Sequence, residues 1–193
     1  TFDEQRNLGV KTAFKRMYDA GLIYRDYRVI NWDPKGQTTV SDDEVQHKPE
    51  KGVLYTFRYS PDFPIEIATT RPETKVGDTA VAVHPDDKRY KKYIGKEYTV
   101  NFAGKELLIK IIGDDSIDPE FGTGAVGVTP AHSILDAEIA QRHDLPMVTV
   151  INEYARMTQE AGPLVADKKT KEAREIIVTW LKEQKLLSKE EPI

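Results

Sequence analysis

The sequence predicts an α+β fold: a barrel-like, mixed or antiparallel sheet of short strands with helices around it. Three observations lead there. Short β-branched and aromatic runs recur as hairpin pairs, at residues 53–59 with 65–69 and at 98–102 with 106–112. Helical periodicity is confined to the two ends and to one stretch after residue 133. The strands do not alternate regularly with helices, which argues against a doubly wound parallel sheet.

Composition narrows the function classes. The chain has 193 residues, 39% hydrophobic and 31% charged, and a net charge of −4. That suits a globular protein and excludes a broad phosphate-tracking basic face. A narrower contact, one strand end inserted in a pocket, remains compatible. No cysteine is present, so disulfides and thiolate metal sites are absent, in keeping with a cytoplasmic location. No apolar run approaches the ~18 residues of a membrane span, and there is no signal peptide. The first residue, Thr1, stands in mid-pattern, as expected of a piece excised from a larger protein.

Taken in order, residues 1–21 read as a packing helix. Thr1 caps it, Glu4 completes a capping box, Val10, Phe14, Met17 and Tyr18 form its apolar face, and Gly21 ends it. Residues 22–50 are extended, with a turn at Asp33-Pro34-Lys35-Gly36 and a polar linker at Ser41-Asp42-Asp43-Glu44. The first hairpin delivers the polar cluster Thr69-Thr70-Arg71-Pro72-Glu73-Thr74. Thr79-Ala80-Val81-Ala82-Val83 reads as a buried strand, and His84-Pro85 opens a short charged helix running to Lys92. The second hairpin turns across Ala103-Gly104-Lys105. Residues 147–151 read as another strand, and residues 167–187 as a final helix with Ala173, Ile176, Ile177, Trp180 and Leu181 along its apolar stripe. Three regions follow: a flank at 1–45, a central unit at 46–165 and a C-terminal flank at 166–193.

The stretch around which the chain is organised is Gly122-Thr123-Gly124-Ala125-Val126-Gly127-Val128-Thr129-Pro130-Ala131-His132. It literally spells G-x-G-x-x-G. The dinucleotide fingerprint, however, needs a preceding strand and a helix opening within it. Here turn chemistry (Asp114-Asp115-Ser116) precedes, while Val126, Val128 and Pro130 oppose a helix. The stretch reads instead as a short strand that runs into a polar turn. Ser133 then caps a helix, with Asp136 as the acid in its first turn. Such a place offers backbone N–H groups, a helix N-terminus and one carboxylate to a ligand. His132 is either a general base or a structural histidine held by a backbone hydrogen bond.

These motifs carry a resemblance. Thr69-Thr70-Arg71-Pro72-Glu73-Thr74, Gly77-Asp78-Thr79-Ala80-Val81-Ala82-Val83-His84-Pro85, Gly122-Thr123-Gly124-Ala125-Val126 and Thr129-Pro130-Ala131-His132 with Asp136 resemble the editing (connective-peptide) domain of class I aminoacyl-tRNA synthetases. Asn31-Trp32-Asp33-Pro34-Lys35, Ser41-Asp42-Asp43-Glu44-Val45 and Arg142-His143-Asp144-Leu145-Pro146 are most similar to the valyl branch. The resemblance spans nearly the whole chain and makes residues 46–165 the editing domain. It implies hydrolysis of the ester joining a wrong amino acid, threonine for the valyl branch, to the terminal adenosine of tRNA(Val). An apolar pocket rejects an added hydroxyl only weakly, so a second pocket that binds the hydroxyl is needed.

The resemblance implies roles by position. Asp136 binds the substrate's α-ammonium. Thr70 and Thr74 meet the amino-acid moiety or hold the attacking water. Arg71 contacts substrate or the terminal nucleotide, and Phe121 walls the pocket or stacks on adenine. Thr69, Glu73, Thr123 and Gly127 line the substrate side, and the backbone of Gly122 to Gly124 stabilises an oxyanion. Two positions depart from the pattern: Gly127 stands where the valyl branch carries Lys, which should enlarge the pocket, and Ser133 stands where it carries Asp. The activation signatures of the class are missing, so ATP and Mg belong to the parent enzyme's catalytic domain and editing itself uses no cofactor. Asp33-Pro34-Lys35-Gly36 replaces the Cys-Pro-x-Cys zinc element of some relatives, and no metal is expected. The implied partners are the tRNA(Val) 3′ end and the parent catalytic domain, in a monomer without membrane contact. The alternatives are isoleucyl- or leucyl-type editing, or a non-catalytic module that holds the tRNA end.

Overall fold

The computed structural model describes residues 3–193. Thr1, expected to cap the first helix, lies outside them. Helix α1, Glu4–Asp19, is capped by Asp3, whose carboxylate accepts from the Arg6 N–H at 2.8 Å. Gly21, at φ +71°, turns the chain at its end. The expected packing role fails within this chain. Val10 is 71% exposed and Tyr18 59%, and no residue of α1 is buried. The helix forms on local signals, the cap and a Lys15–Asp19 pair at 2.6 Å, while its apolar face stays exposed among the described residues.

Strands β1 (Asn31–Asp33) and β2 (Thr38–Val40) pair antiparallel across the anticipated turn. Trp32 ties them to the rest by donating Nε1–H to Glu153 O at 2.8 Å. Two larger sheets follow. One has the order β4-β3-β9, from β3 (Val53–Phe57), β4 (Ile67–Thr69) and β9 (Leu187–Pro192), all antiparallel. The other has the order β6-β7-β5-β8, from β5 (Ala80–Val83), β6 (Glu97–Phe102), β7 (Lys105–Gly113) and β8 (Ala125–Val128). Only the β5–β7 pair is parallel. The β6–β7 hairpin closes through Ala103 and Gly104, at φ +53° and +79°, the paired left-handed geometry of a tight hairpin loop. The three sheets form no closed barrel among the described residues; the architecture is mixed α/β.

Two expectations fail locally. Residues 84–92 form turns and a 3-10 turn at Lys91–Tyr93 instead of a helix. Here Asp87 accepts from the Arg89 backbone N–H and guanidinium, a local pattern that competes with helix. Residues 147–151 are extended but pair only through a bridge at Ile151, since the N–H groups of Val150 and Ile151 go to His132. Strand β9, for which the sequence offers no alternating apolar pattern, completes the open edge of β3.

Helix α2, Ile134–His143, is capped by Ser133 Oγ, which accepts from the Asp136 N–H at 3.3 Å, and ends at Asp144 in the left-handed region. Its far end is clamped to the loop after β7: the Arg142 guanidinium donates to Asp114 at 2.9 and 3.0 Å, and His143 Nε2 lies 2.9 Å away. Helix α3, Thr170–Glu183, buries Ala173, Ile177 and Leu181 in the main core. There Phe57, Tyr59, Phe63 and Phe102 pack at 5.1–5.7 Å between ring centroids, with Trp180 of α3 edge-on to Phe102 at 5.2 Å. A second cluster, Ala80, Ala82, Ile112, Val128 and Ile139, seats α2 on the other face of the four-stranded sheet. Strand β4 passes beside β8. That places the loop after β4 against the turn after β8.

Candidate functional site

A cleft of about 190 Å³ opens where these two loops meet. Strand β4 feeds Thr69, Thr70 and Arg71 into one wall; a 3-10 helix at Pro72–Gly77 then carries Thr74 and Lys75. The other wall is the end of β8, with Gly127 and Thr129, followed by His132 and Asp136 at the start of α2. Segments about a third of the chain apart thus converge on one small volume.

Asp136 is buried, and its Oδ2 accepts the Thr129 N–H at 2.8 Å. Its carboxylate therefore does not reach back to Ser133, and only half of a capping box forms. Oδ1 has no protein donor among the described residues, which leaves it for a cation. Arg71 donates its backbone N–H to Thr69 Oγ1 at 3.1 Å and Nη1–H to His132 O at 2.9 Å. Thr74 Oγ1 donates to Arg71 O at 3.0 Å. Thr70 is exposed, and its hydroxyl has no protein partner among the described residues.

His132 is half-buried. Its Nε2 accepts two backbone N–H groups, from Val150 at 2.8 Å and Ile151 at 3.2 Å. Burial, reinforced by the charges of Arg71 and Lys75, pushes its imidazole down to about 4. The lone pair that would take a proton from water is thus engaged, and the ring braces the 147–151 segment against the cleft.

Other expected residues lie elsewhere. The Glu73 side chain is buried away from the cleft, where both oxygens accept from Arg174 of α3 at 2.7 and 2.8 Å. Phe121 is 53% exposed and does not line the cleft. Gly122 lies beside Ala68 at the rim, while the Gly124 N–H is spent on Phe121 O at 2.9 Å. Thr123 is tied down through its carbonyl, which accepts from Tyr90 OH at 2.7 Å. Among the described residues, no group of three His, Asp or Glu side chains is placed to hold a metal ion.

The structure corrects the expectation for Gly127. Its missing side chain does not enlarge the cleft. A Cβ there would point inward, onto Asp78 Oδ2 and Tyr59 OH, and would lie 3.0 Å from Ile67 Cδ1. That space belongs to a buried polar network the sequence does not single out. Lys75 Nζ donates to Asp78 Oδ1 at 3.0 Å, Gly127 O at 2.7 Å and Thr129 Oγ1 at 2.8 Å, so all three ammonium protons are used. Thr129 Oγ1 and Tyr59 OH each donate to Asp78. Burial pushes the Asp78 carboxyl up against the opposing pull of Lys75, Thr129 and Tyr59; burial also lifts the Tyr59 phenol well above its usual value, with the Asp78 charge adding to it. A glycine inside a β-branched strand signals a close approach, but not what approaches.

The family model for class I tRNA synthetases (I, L, M and V) matches residues 1–188. The chain belongs to the class I tRNA synthetases. It is 46% identical over 192 residues to the valine--tRNA ligase of Thermotoga maritima, covering 98% of this chain and 22% of that protein. The Lactobacillus johnsonii valine--tRNA ligase is 47% identical over 197 residues, covering 100% and 22%, and the Aquifex aeolicus one is 46% identical over 212 residues, covering 100% and 18%. The chain thus spans about a fifth of the length of these synthetases. A LeuRS chain of Agrobacterium radiobacter K84, from a ternary complex with tRNA and LeuAMS, superposes at a TM-score of 0.49 with 18% identity over 94% of this chain and 31% of that one. No helix among the described residues is long and apolar enough to cross a membrane.

Proposed function

We propose that this segment is the editing domain of a valine--tRNA ligase and that its cleft hydrolyses the ester of threonyl-tRNA(Val). The observation that carries the reading is Asp136: a largely buried carboxylate with one oxygen held by Thr129 N–H and the other without a protein donor, opening onto a cleft shared with a hydroxyl-rich loop. An α-ammonium fits the free oxygen as a charge-assisted partner. Thr70 offers a free hydroxyl to the threonine side chain, and Thr74, whose proton goes to Arg71 O, offers its oxygen as an acceptor; valine would cover the Thr70 hydroxyl without pairing it, and an unpaired polar group costs about 1–3 kcal/mol. Water attacks the ester carbonyl, and the ribose oxygen of the terminal adenosine leaves with the proton that balances it. Arg71, on the exposed rim, faces the terminal nucleotide, and His132 acts as a brace.

The similarity to valine--tRNA ligases supports the substrate assignment. The partners are the tRNA(Val) 3′ end and the catalytic domain of the parent enzyme, which uses ATP and Mg for activation. Editing takes no cofactor, and the parent acts as a cytoplasmic monomer.

The test is deacylation of threonyl- and valyl-tRNA(Val) by the full-length parent enzyme, with and without Asp136→Ala. The reading expects selective loss of the threonyl ester that disappears in the variant. Hydrolysis of neither ester by the unmutated enzyme overturns it.

A further inference from the structure

We propose that Lys75 is a positioning residue of the cleft: through Thr129 its buried ammonium holds Asp136 in the one orientation that leaves Oδ1 free for the substrate. This rests on the editing function proposed above.

The argument begins with cost. Lys75 is only 5% exposed, and a buried ammonium is tolerated only when its protons are all bonded. A domain with a methionine or leucine there would avoid that cost. Here the ammonium has three acceptors of distinct kinds: a carboxylate, a strand carbonyl and a hydroxyl. Each belongs to the cleft floor or the support directly beneath it. Gly127 O fixes the end of β8. Asp78 gathers Tyr59, Thr129 and Lys75 onto one carboxylate. Thr129 is the link: its hydroxyl accepts from Lys75 and donates to Asp78, while its backbone N–H donates to Asp136 Oδ2 at 2.8 Å.

The chain of contacts therefore runs from Tyr59 in the aromatic core to the carboxylate in the cleft. Such a satisfied polar network imposes one geometry where apolar packing would allow several. It also explains Gly127, since any Cβ would fall on Asp78 and Tyr59. The glycine and the lysine are two parts of one arrangement. Lys75 touches no reacting atom in this scheme; it acts through Thr129 on Asp136.

Lys75→Met keeps the length and apolar volume of the side chain and removes the charge. Two measurements test it. The first is threonyl-tRNA(Val) deacylation by the full-length parent enzyme, with valine aminoacylation as the control that the rest of the enzyme is intact. We expect kcat/KM for deacylation to fall at least ~10-fold, mostly through KM, since a displaced Asp136 binds the ammonium less well. The second needs no editing activity: hydrogen exchange of the Thr129 amide, whose N–H is held by Asp136 Oδ2. In Lys75→Met that amide should lose protection.

Unchanged deacylation with unchanged protection of the Thr129 amide overturns the proposal and leaves the editing function standing. A wild-type enzyme that hydrolyses neither ester overturns the editing function, and the amide exchange alone then decides whether Lys75 positions Asp136. If Lys75→Met does not fold, the isosteric Thr129→Val breaks the same link while keeping the backbone N–H, and the same two readouts apply.

Discussion

Lowering the pH should loosen one wall of the cleft through a single imidazole. His132 Nε2 accepts the N–H groups of Val150 and Ile151, so protonating it turns an acceptor into a donor aimed at two donors. In the unfolded chain the ring takes its proton near the ordinary value of 6.5; in the folded chain it does so only at about 4. Below 6.5 the unfolded state therefore binds more protons than the folded state, and stability falls with pH until both are protonated. Between pH 7 and pH 5 these two values give a loss of about 2 kcal/mol, rising to about 3 kcal/mol below pH 4. The assay is urea unfolding at the two pH values for this chain and for His132→Gln, whose amide oxygen accepts a hydrogen bond but does not titrate. Carboxylates elsewhere contribute equally to both proteins, so the difference between the two pH responses isolates His132. The Val150 and Ile151 amides should lose exchange protection in step. A His132→Gln chain that loses as much stability as the wild type between pH 7 and pH 5 refutes the reasoning.

Other outcomes follow from the same geometry. Gly127→Ala should cost about 3 kcal/mol in the urea midpoint, at the upper end for overpacking, because Asp78 and Tyr59 cannot yield without breaking their own hydrogen bond. Asp114→Ala frees the C-terminal end of α2 by removing the Arg142 clamp. Since the exposed Arg142 can return to water, the loss should be about 1–3 kcal/mol by chemical denaturation. Bonds from Arg142, Ser116 and His143 outweigh burial and hold the Asp114 carboxyl well below the usual carboxylate range. Its contribution is therefore complete above about pH 4 and disappears as the pH falls further, an acid-limb change absent from Asp114→Ala. Asp136→Ala should abolish threonyl-tRNA(Val) deacylation by the parent enzyme while leaving its aminoacylation of valine intact.

Much of this was legible in the chain because it is encoded between near neighbours. Ser133 stands one residue ahead of α2 and caps it; Asp144 ends it in the left-handed region; Ala103-Gly104 closes the β6–β7 hairpin. The alternating pattern of residues 53–69 and the run Ala80 to Val83 specify strands whatever surrounds them. Thr69 to Thr74 and Thr129 to Asp136 also declare themselves as polar clusters at strand ends. Their convergence on one cleft follows once β4 lies beside β8.

What needed the tertiary structure was direction: which way a side chain or a lone pair points once the sheets are packed. A strand pattern places Gly127 on β8, but only the position of Asp78 and Tyr59 beneath it shows that its empty side faces the core and not the cleft. His132 has the chemistry of a base in any sequence, and it becomes a brace because residues 147–151 arrive against Nε2. Glu73 belongs to the threonine-rich cluster by sequence and to Arg174 of α3 in space. Lys75 has a local partner in Asp78, three residues on, but its two other acceptors, Gly127 O and Thr129 Oγ1, meet it only after folding. Local residue chemistry determined the elements and the motifs. Long-range packing decided which of their polar groups remain free to meet a substrate, because a hydrogen bond already made inside the protein is one that a ligand cannot use.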